Sequence, residues 1–250
     1  MQVIPVIDIL GRKVVRGVAG KRDEYQPLVS KLVESPTTKP ADIARAFAGE
    51  LGLTSVYVAD LDAILKGKPN LRAYEQVSKA GLRVMLDAGF ADGEQGGALI
   101  ERCASFAPDI VVGLETLASL AALRQLVHLV GREGCIFSLD LMQGKPLTRI
   151  EAWKTLPPLE IVQTVLGTGL RRLIILDLAD VGVGSGTSTL DLCRRIGDAH
   201  PEVELIAGGG VRKFEDLEYL AHAGCSGALV ASALHDGRLT RDDVERARDL

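Results

Sequence analysis

The chain has 250 residues, of which 47% are hydrophobic, 25% charged and only 4% aromatic, a globular balance that excludes disorder, collagen and coiled coil. With 33 acidic against 29 basic residues, the net charge of −4 leaves no electrostatic footprint for nucleic acid or an anionic membrane. No apolar run reaches the ~18 residues that a bilayer span requires. The start MQVIPVIDIL lacks a signal peptide's basic segment and cleavage site. Cys103, Cys135, Cys193 and Cys225 stand far apart, without metal-ligand spacing. These features fit a reduced, cytoplasmic protein.

Along the chain, short apolar runs alternate with amphipathic stretches of helical period. The first strand is VIPVID. The irregular segment after it, GKRDEYQPLVSKLVESPTTKP, is too long for an ordinary βα connection and is of the kind that serves as a functional lid. Helix ADIARAFAGELG, strand SVYVAD, helix LRAYEQVSKAG, strands RVMLD and DIVVG, and helix SLAALRQLVHLVGREG follow in turn. After strand CIFSLD, the loop MQGKPLTRIEAWKTLPP carries Trp153, a candidate to stack over a ligand. Helix LEIVQTVLGTG, strand LIILD, helix LDLCRRIGDAH, strand ELIAGG, helix FEDLEYLAHAG and strand GALVAS complete the series. Several helices end in glycine, as a C-cap requires. Runs apolar on both faces suit parallel strands covered by helices. Eight of them predict an α/β fold, a (β/α)8 TIM barrel occupying residues 1–250 as a single domain. A doubly wound open sheet is the alternative.

Features recur at a spacing of ~120 residues, which marks a repeat architecture. Asp8 and Asp140 each end a strand before a Gly-containing turn, and Asp60 and Asp177 end the second and sixth strands. LDAGFAD stands opposite IAGGGVRK, and VVGLETLA opposite LVASALHDG. The pattern predicts two similar half-barrels, about 1–130 and 131–250.

In such a barrel the working face lies at the C-terminal strand ends. Carboxylates crowd that face: Asp8, Asp60, Asp62, Asp87, Glu115, Asp140, Asp177 and Asp180. A lone Asp after a strand is by default a helix N-cap, and Asp62, Asp87 and Asp180 fall under that reading. Asp8 and Asp140 precede turns rather than helices and come from opposed strands, which suits a general acid and a general base. Gly208, Gly209 and Gly210 after the seventh strand, with Ala231, Ser232 and Ala233 after the eighth, offer backbone N–H groups to a phosphate. His128 reads as an exposed helix residue, His235 as a loop residue within reach of a phosphate, and Cys135 and Cys225 as small apolar residues. Lys68 and Lys145 lack the apolar pocket that a Schiff-base lysine requires.

IPVIDILGRKVVRGVAGKRDEY, YVADLDAILKGKPN, FSLDLMQGKP, AGGGVRKFEDL and GALVASALHDGRL together resemble the histidine-biosynthesis barrels, the HisA/HisF family. They lie nearer the HisA (ProFAR isomerase) branch than the cyclase branch. The resemblance spans nearly the whole chain and implies a ribulose-phosphate-binding-like barrel. It also implies an Amadori-type aldose–ketose rearrangement without cofactor or metal, a small phosphorylated metabolite as the partner, and Asp8 and Asp140 as acid and base. That branch takes a substrate with two phosphates, one for each half-barrel. This chain departs from it in the first half, where Asp87-Ala88-Gly89 and Gly113-Leu114-Glu115-Thr116 replace a Gly-rich loop and its partner turn. The strand-six Thr is replaced by Leu176 or Asp177, and the first loop reads AGKRDEY, changing the polar partners at Arg16, Lys21 and Arg22. Arg16, Asp60, Asp87, Glu115 and Asp177 are expected as further substrate contacts. Three functions follow. The first is a HisA-like isomerase acting on a phosphoribosyl-type substrate. The second is a paralogue for a mono-phosphorylated, amino-bearing compound of another pathway, such as pterin-linked one-carbon metabolism. The third is a non-catalytic binding barrel.

Overall fold

A computed structural model describes residues 1–182 and 187–250. Eight parallel staves close into a barrel: β1 (Gln2–Leu10), β2 (Ser55–Asp60), β3 (Arg83–Asp87), β4 (Asp109–Gly113), β5 (Cys135–Met142), β6 (Arg172–Asp177), β7 (Glu204–Gly208) and β8 (Gly227–Val230). Each pairs with the next in chain order, and β8 closes on β1 with Gln2 opposite Gly227. This is the (β/α)8 barrel that the alternation predicts, and the open sheet is excluded. No helix among the described residues is long and apolar enough to cross a membrane.

The strand period of two sorts the side chains into two cores. Ile4, Tyr57, Met85, Val111, Ile136, Ile174, Ile206 and Leu229 fill the barrel interior, with Val6 and Leu176 above them. The alternate residues, such as Ile7, Val58, Leu86 and Phe137, pack outward against the helices. At the N-terminal end, Arg172 plugs the interior: its Nη1 donates to Asp109 Oδ2 at 3.0 Å and its Nε to Glu204 Oε2 at 2.8 Å. These paired charges fill the N-terminal end, and the chemistry of such barrels belongs to the opposite mouth.

The helices are α1 (Pro40–Leu51), α2 (Leu61–Lys66), α3 (Leu71–Ser78), α4 (Gly93–Arg102), α5 (Leu120–Val130), α6 (Pro158–Leu166), α7 (Leu190–Ala199), α8 (Phe214–His222), α9 (Ser232–His235) and α10 (Arg241–Ala247). Helix α4 has no counterpart in the sequence reading, because its glycines weaken the helical pattern. One of them has a packing reason: a Cβ on Gly96 would stand 2.6 Å from Leu126 Cδ2 of α5.

The two halves share a device. Both β1 and β5 run into two-residue hairpins, Leu10 pairing with Lys13 and Met142 with Lys145. Gly11 and Arg12 have φ of 58° and 65°, and Gln143 and Gly144 53° and 75°, the backbone of a type I′ turn. A carboxylate from the following stave's end holds each hairpin. Asp62 Oδ2 accepts from Gly11 N at 2.7 Å, and Asp177 accepts from Gln143 N at 3.0 Å and Gly144 N at 2.7 Å.

Candidate active site

A cavity of about 400 Å³ opens at the C-terminal mouth of the barrel. Its floor is Val6, Leu176 and Leu229. Strand register sets its walls: Asp8 lies level with Ala59, Ala59 with Asp87, Asp140 with Leu176, and Gly208 with Leu229. Staves β1 and β5 face each other across the mouth, as do β3 and β7, so one axis joins Asp8 to Asp140 and the other joins Asp87 to the Gly209–Gly210 turn.

Asp8, Asp87 and Asp140 all line the cavity. Asp87 and Asp140 are 8% and 6% exposed, and removing a carboxylate from water favours its neutral form. Burial pushes Asp8 up to about 7, with the Arg22 guanidinium opposing and the Asp87 charge adding. Burial likewise pushes Asp140 up to about 7, helped by Asp87 and opposed by the Ser138 hydroxyl and the Glu115 N–H. Asp87 rises to about 6 through burial, against the hydrogen bonds of Gly89 and Tyr57. The bonds are specific: Ser138 Oγ donates to Asp140 Oδ1 at 2.7 Å, Glu115 N to Asp140 Oδ2 at 3.1 Å, and Tyr57 Oη to Asp87 Oδ2 at 3.1 Å.

The loop after β1 walls one side through Arg16, Gly17, Gly20, Arg22, Tyr25, Leu28 and Val29. Arg22 Nη2 donates to Glu115 Oε2 at 2.5 Å, tying this loop to the one after β4. Burial opposes the Arg22 charge, yet the Glu115 hydrogen bond and charge keep its pKa raised. A Cβ on Gly17 would stand 3.2 Å from Asp8 Oδ2 and 3.4 Å from Tyr25 Oη, so glycine there lets carboxylate and phenol approach each other. Burial, and then the Asp8 charge, push Tyr25 up to about 12.

The far wall holds Gly209, Gly210, Ala231, Ser232, Arg212 and Arg238. Gly209 and Gly210 have φ of 88° and 80°, which turns the chain sharply as it leaves β7. Gly208 stays inside the strand and does not line the cavity; a Cβ on it would stand 2.9 Å from Leu176 Cδ1. Arg16 reaches the rim 3.7 Å from Asp236, and Arg238 bonds Asp236 at 3.1 Å. His235 is buried, bonds Ser30 Oγ through Nδ1 at 2.9 Å, and burial lowers its pKa to about 4, so it is neutral.

Other sequence candidates lie elsewhere. Asp60 is fully buried and accepts from Asp62 N, Ala63 N, Asn70 N, Asn70 Nδ2 and the Tyr74 hydroxyl. Asp60 and Asp177 therefore anchor loops and do not line the cavity, because backbone donors outcompete it for their oxygens. Trp153 is 8% exposed and belongs to the outer core, so it cannot stack over a ligand in the cavity. Lys68 and Lys145 are exposed on the surface and His128 on α5. Tyr57, Tyr25 and Ser138 go unnoticed in the sequence. The period-two pattern of SVYVAD could have revealed Tyr57 as inward-facing.

A model for the family described as histidine biosynthesis protein matches residues 2–240. An uncharacterized protein of Methanocaldococcus jannaschii is 29% identical over 98% of this chain and 97% of its own length. Also similar are proteins named 1-(5-phosphoribosyl)-5-((5-phosphoribosylamino)methylideneamino) imidazole-4-carboxamide isomerase. That of Francisella philomiragia is 26% identical over 98% of this chain and 99% of its own. That of Methanococcus maripaludis is 27% identical over 99% of both.

Proposed function

The chain belongs to the histidine biosynthesis protein family, and from that premise we propose that it is an aldose–ketose isomerase of the histidine-biosynthesis type. It converts an N-substituted 5-phosphoribosylamine into the corresponding 1-amino-1-deoxyribulose 5-phosphate. The observation that carries this reading is the opposed pair Asp8 and Asp140, both facing one cavity and both titrating at about 7. At neutral pH such a pair populates the state with one carboxyl protonated and one ionised.

The reaction needs both forms. The protonated carboxyl gives its proton to the ring oxygen as the C1–O bond breaks and the C1–N iminium forms. The ionised one removes the proton from C2, leaving an enaminol that takes a proton at C1 to become the aminoketose. Each transfer is worth roughly 10²–10⁴ in rate. The Gly209–Gly210 turn, Ser232 and the Arg212 and Arg238 side chains hold the 5-phosphate, since backbone N–H groups and guanidinium forks suit phosphate oxygens. A binding-only barrel would have no need for two carboxyl groups with raised pKa on opposed staves, which cost stability at neutral pH.

The test is conversion of a panel of N-substituted 5-phosphoribosylamines, including the doubly phosphorylated compound in the relatives' names, followed by NMR in D2O. Conversion of at least one member, with deuterium appearing at C1 of the ketose, is expected. No conversion of any member and no exchange at C1 would refute the reading.

A further inference from the structure

The two ends of the β3–β7 axis differ in charge, which the acid–base step by itself does not require. Around the Gly209–Gly210 turn, the lining residues Arg16, Arg212 and Arg238 are matched by Asp180 and Asp236 and by Asp216, which bonds Arg212 at 3.3 Å, so that end is close to neutral. At the other end, the lining carboxylates are Asp87 and Glu115, beside Asp8 and Asp140, with Arg22 as their cation. Two donors at that end already serve carboxylates. Gly89 N donates to Asp87 Oδ1 at 3.1 Å, and Arg22 bonds Glu115 at 2.5 Å. The relatives' names contain two 5-phosphoribosyl groups, so a substrate of that kind lying along this axis sets its second phosphate against the Asp87 carboxylate.

We propose that Asp87 is a specificity-determining residue: the substrate carries its phosphate at the Gly209–Gly210 end, and its other end presents an amine to Asp87 in place of a second phosphate. The inference rests on the isomerase reading above. Asp87 is suited to the task. Tyr57 Oη and Gly89 N fix its two oxygens from the protein side, and each oxygen keeps a lone pair for a ligand donor. The Tyr57 hydroxyl is buried and its pKa raised, first by burial and then by the Asp87 charge, so it stays a donor. A carboxylate so held accepts an ammonium group well and disfavours a like-charged phosphate in the same place.

Two synthetic ligands isolate this end of the cavity. Both are 1-amino-1-deoxyribulose 5-phosphates, one with a 2-aminoethyl arm on the C1 nitrogen and the other with a 2-phosphonooxyethyl arm. Each is titrated calorimetrically at pH 8 into the full-length chain, wild type and Asp87→Asn, with ribulose 5-phosphate as the arm-free reference. Wild type is expected to bind the aminoethyl compound roughly tenfold or more tightly than the phosphonooxyethyl one. Asp87→Asn, which keeps the side-chain size, is expected to lose that preference. Equal or tighter binding of the phosphonooxyethyl compound by wild type overturns the specificity proposal and leaves the isomerase reading standing. Failure of all three ketose phosphates to bind wild type overturns both.

Discussion

Asp87 and Asp140, on staves β3 and β5, converge over Gly113 of the stave between them. A Cβ on Gly113 would stand 3.4 Å from Asp87 Oδ2 and 2.9 Å from Asp140 Oδ2. The missing side chain is what allows the two carboxylates to share the mouth, where the Asp87 charge helps burial to raise the Asp140 pKa. A Gly113→Ala change is therefore expected to displace Asp140 and lower kcat while the fold survives, which kinetics alongside circular dichroism will show.

Replacing either member of the acid–base pair removes one proton transfer. Asp8→Asn and Asp140→Asn are each expected to lower kcat by about 10²–10⁴, with KM little changed, because the proposed phosphate contacts lie after β7 and β8, away from this pair. Steady-state rates on the best member of the phosphoribosylamine panel measure this. A variant of either residue with wild-type kcat would remove it from the chemistry.

The pH profile follows from the same pair. The base works only when ionised, so activity rises with pH through its pKa; the acid works only when protonated, so activity falls above its own. With Asp8 and Asp140 both at about 7, kcat/KM is expected to form a narrow bell centred near neutrality, its limbs belonging to the pair jointly. A plateau extending from pH 5 to beyond ~pH 9 would contradict the acid–base assignment.

Buried carboxyls with raised pKa also weaken the fold in a definite direction. Asp87 titrates at about 6 in the folded chain against 3.8 in the reference state, so between those values the folded state holds more protons. Stability contributed by this group thus falls as pH rises through that window and stays at its lower level above it. Asp87→Asn is expected to stabilise the protein at pH 8 by on the order of 1 kcal/mol or more, roughly 2–4 °C in Tm, and to have much less effect near pH 4. Thermal melts at both pH values test the sign.

Asp60 serves the fold through its hydrogen bonds. Its carboxylate serves Asp62 N, Ala63 N, both nitrogens of Asn70 and the Tyr74 hydroxyl, and removing it strands several buried donors. Asp60→Ala is expected to cost about 3 kcal/mol or more in urea unfolding, with kcat per folded molecule unchanged. A large kcat loss without destabilisation would return Asp60 to the substrate contacts.

The sequence by itself determined the staves and their order. Alternation of short apolar runs with amphipathic helices survives without tertiary information, because each run must be apolar on both faces inside a helix-covered barrel. It also placed Asp8 and Asp140 on opposed staves and the glycine turn after β7, since strand ends and turn residues are local signals. Tertiary structure decided which strand-end carboxylates face the cavity. Asp87 does, while Asp60 and Asp177 turn to donors such as Asn70, Gln143 and Gly144, which lie 10, 34 and 33 residues away. It also put Trp153 into the core rather than over the mouth, and it joined Arg22 to Glu115 across 93 residues. An Asp at a strand end looks the same in every case; its role depends on which donors the closed barrel brings within about 3 Å of it.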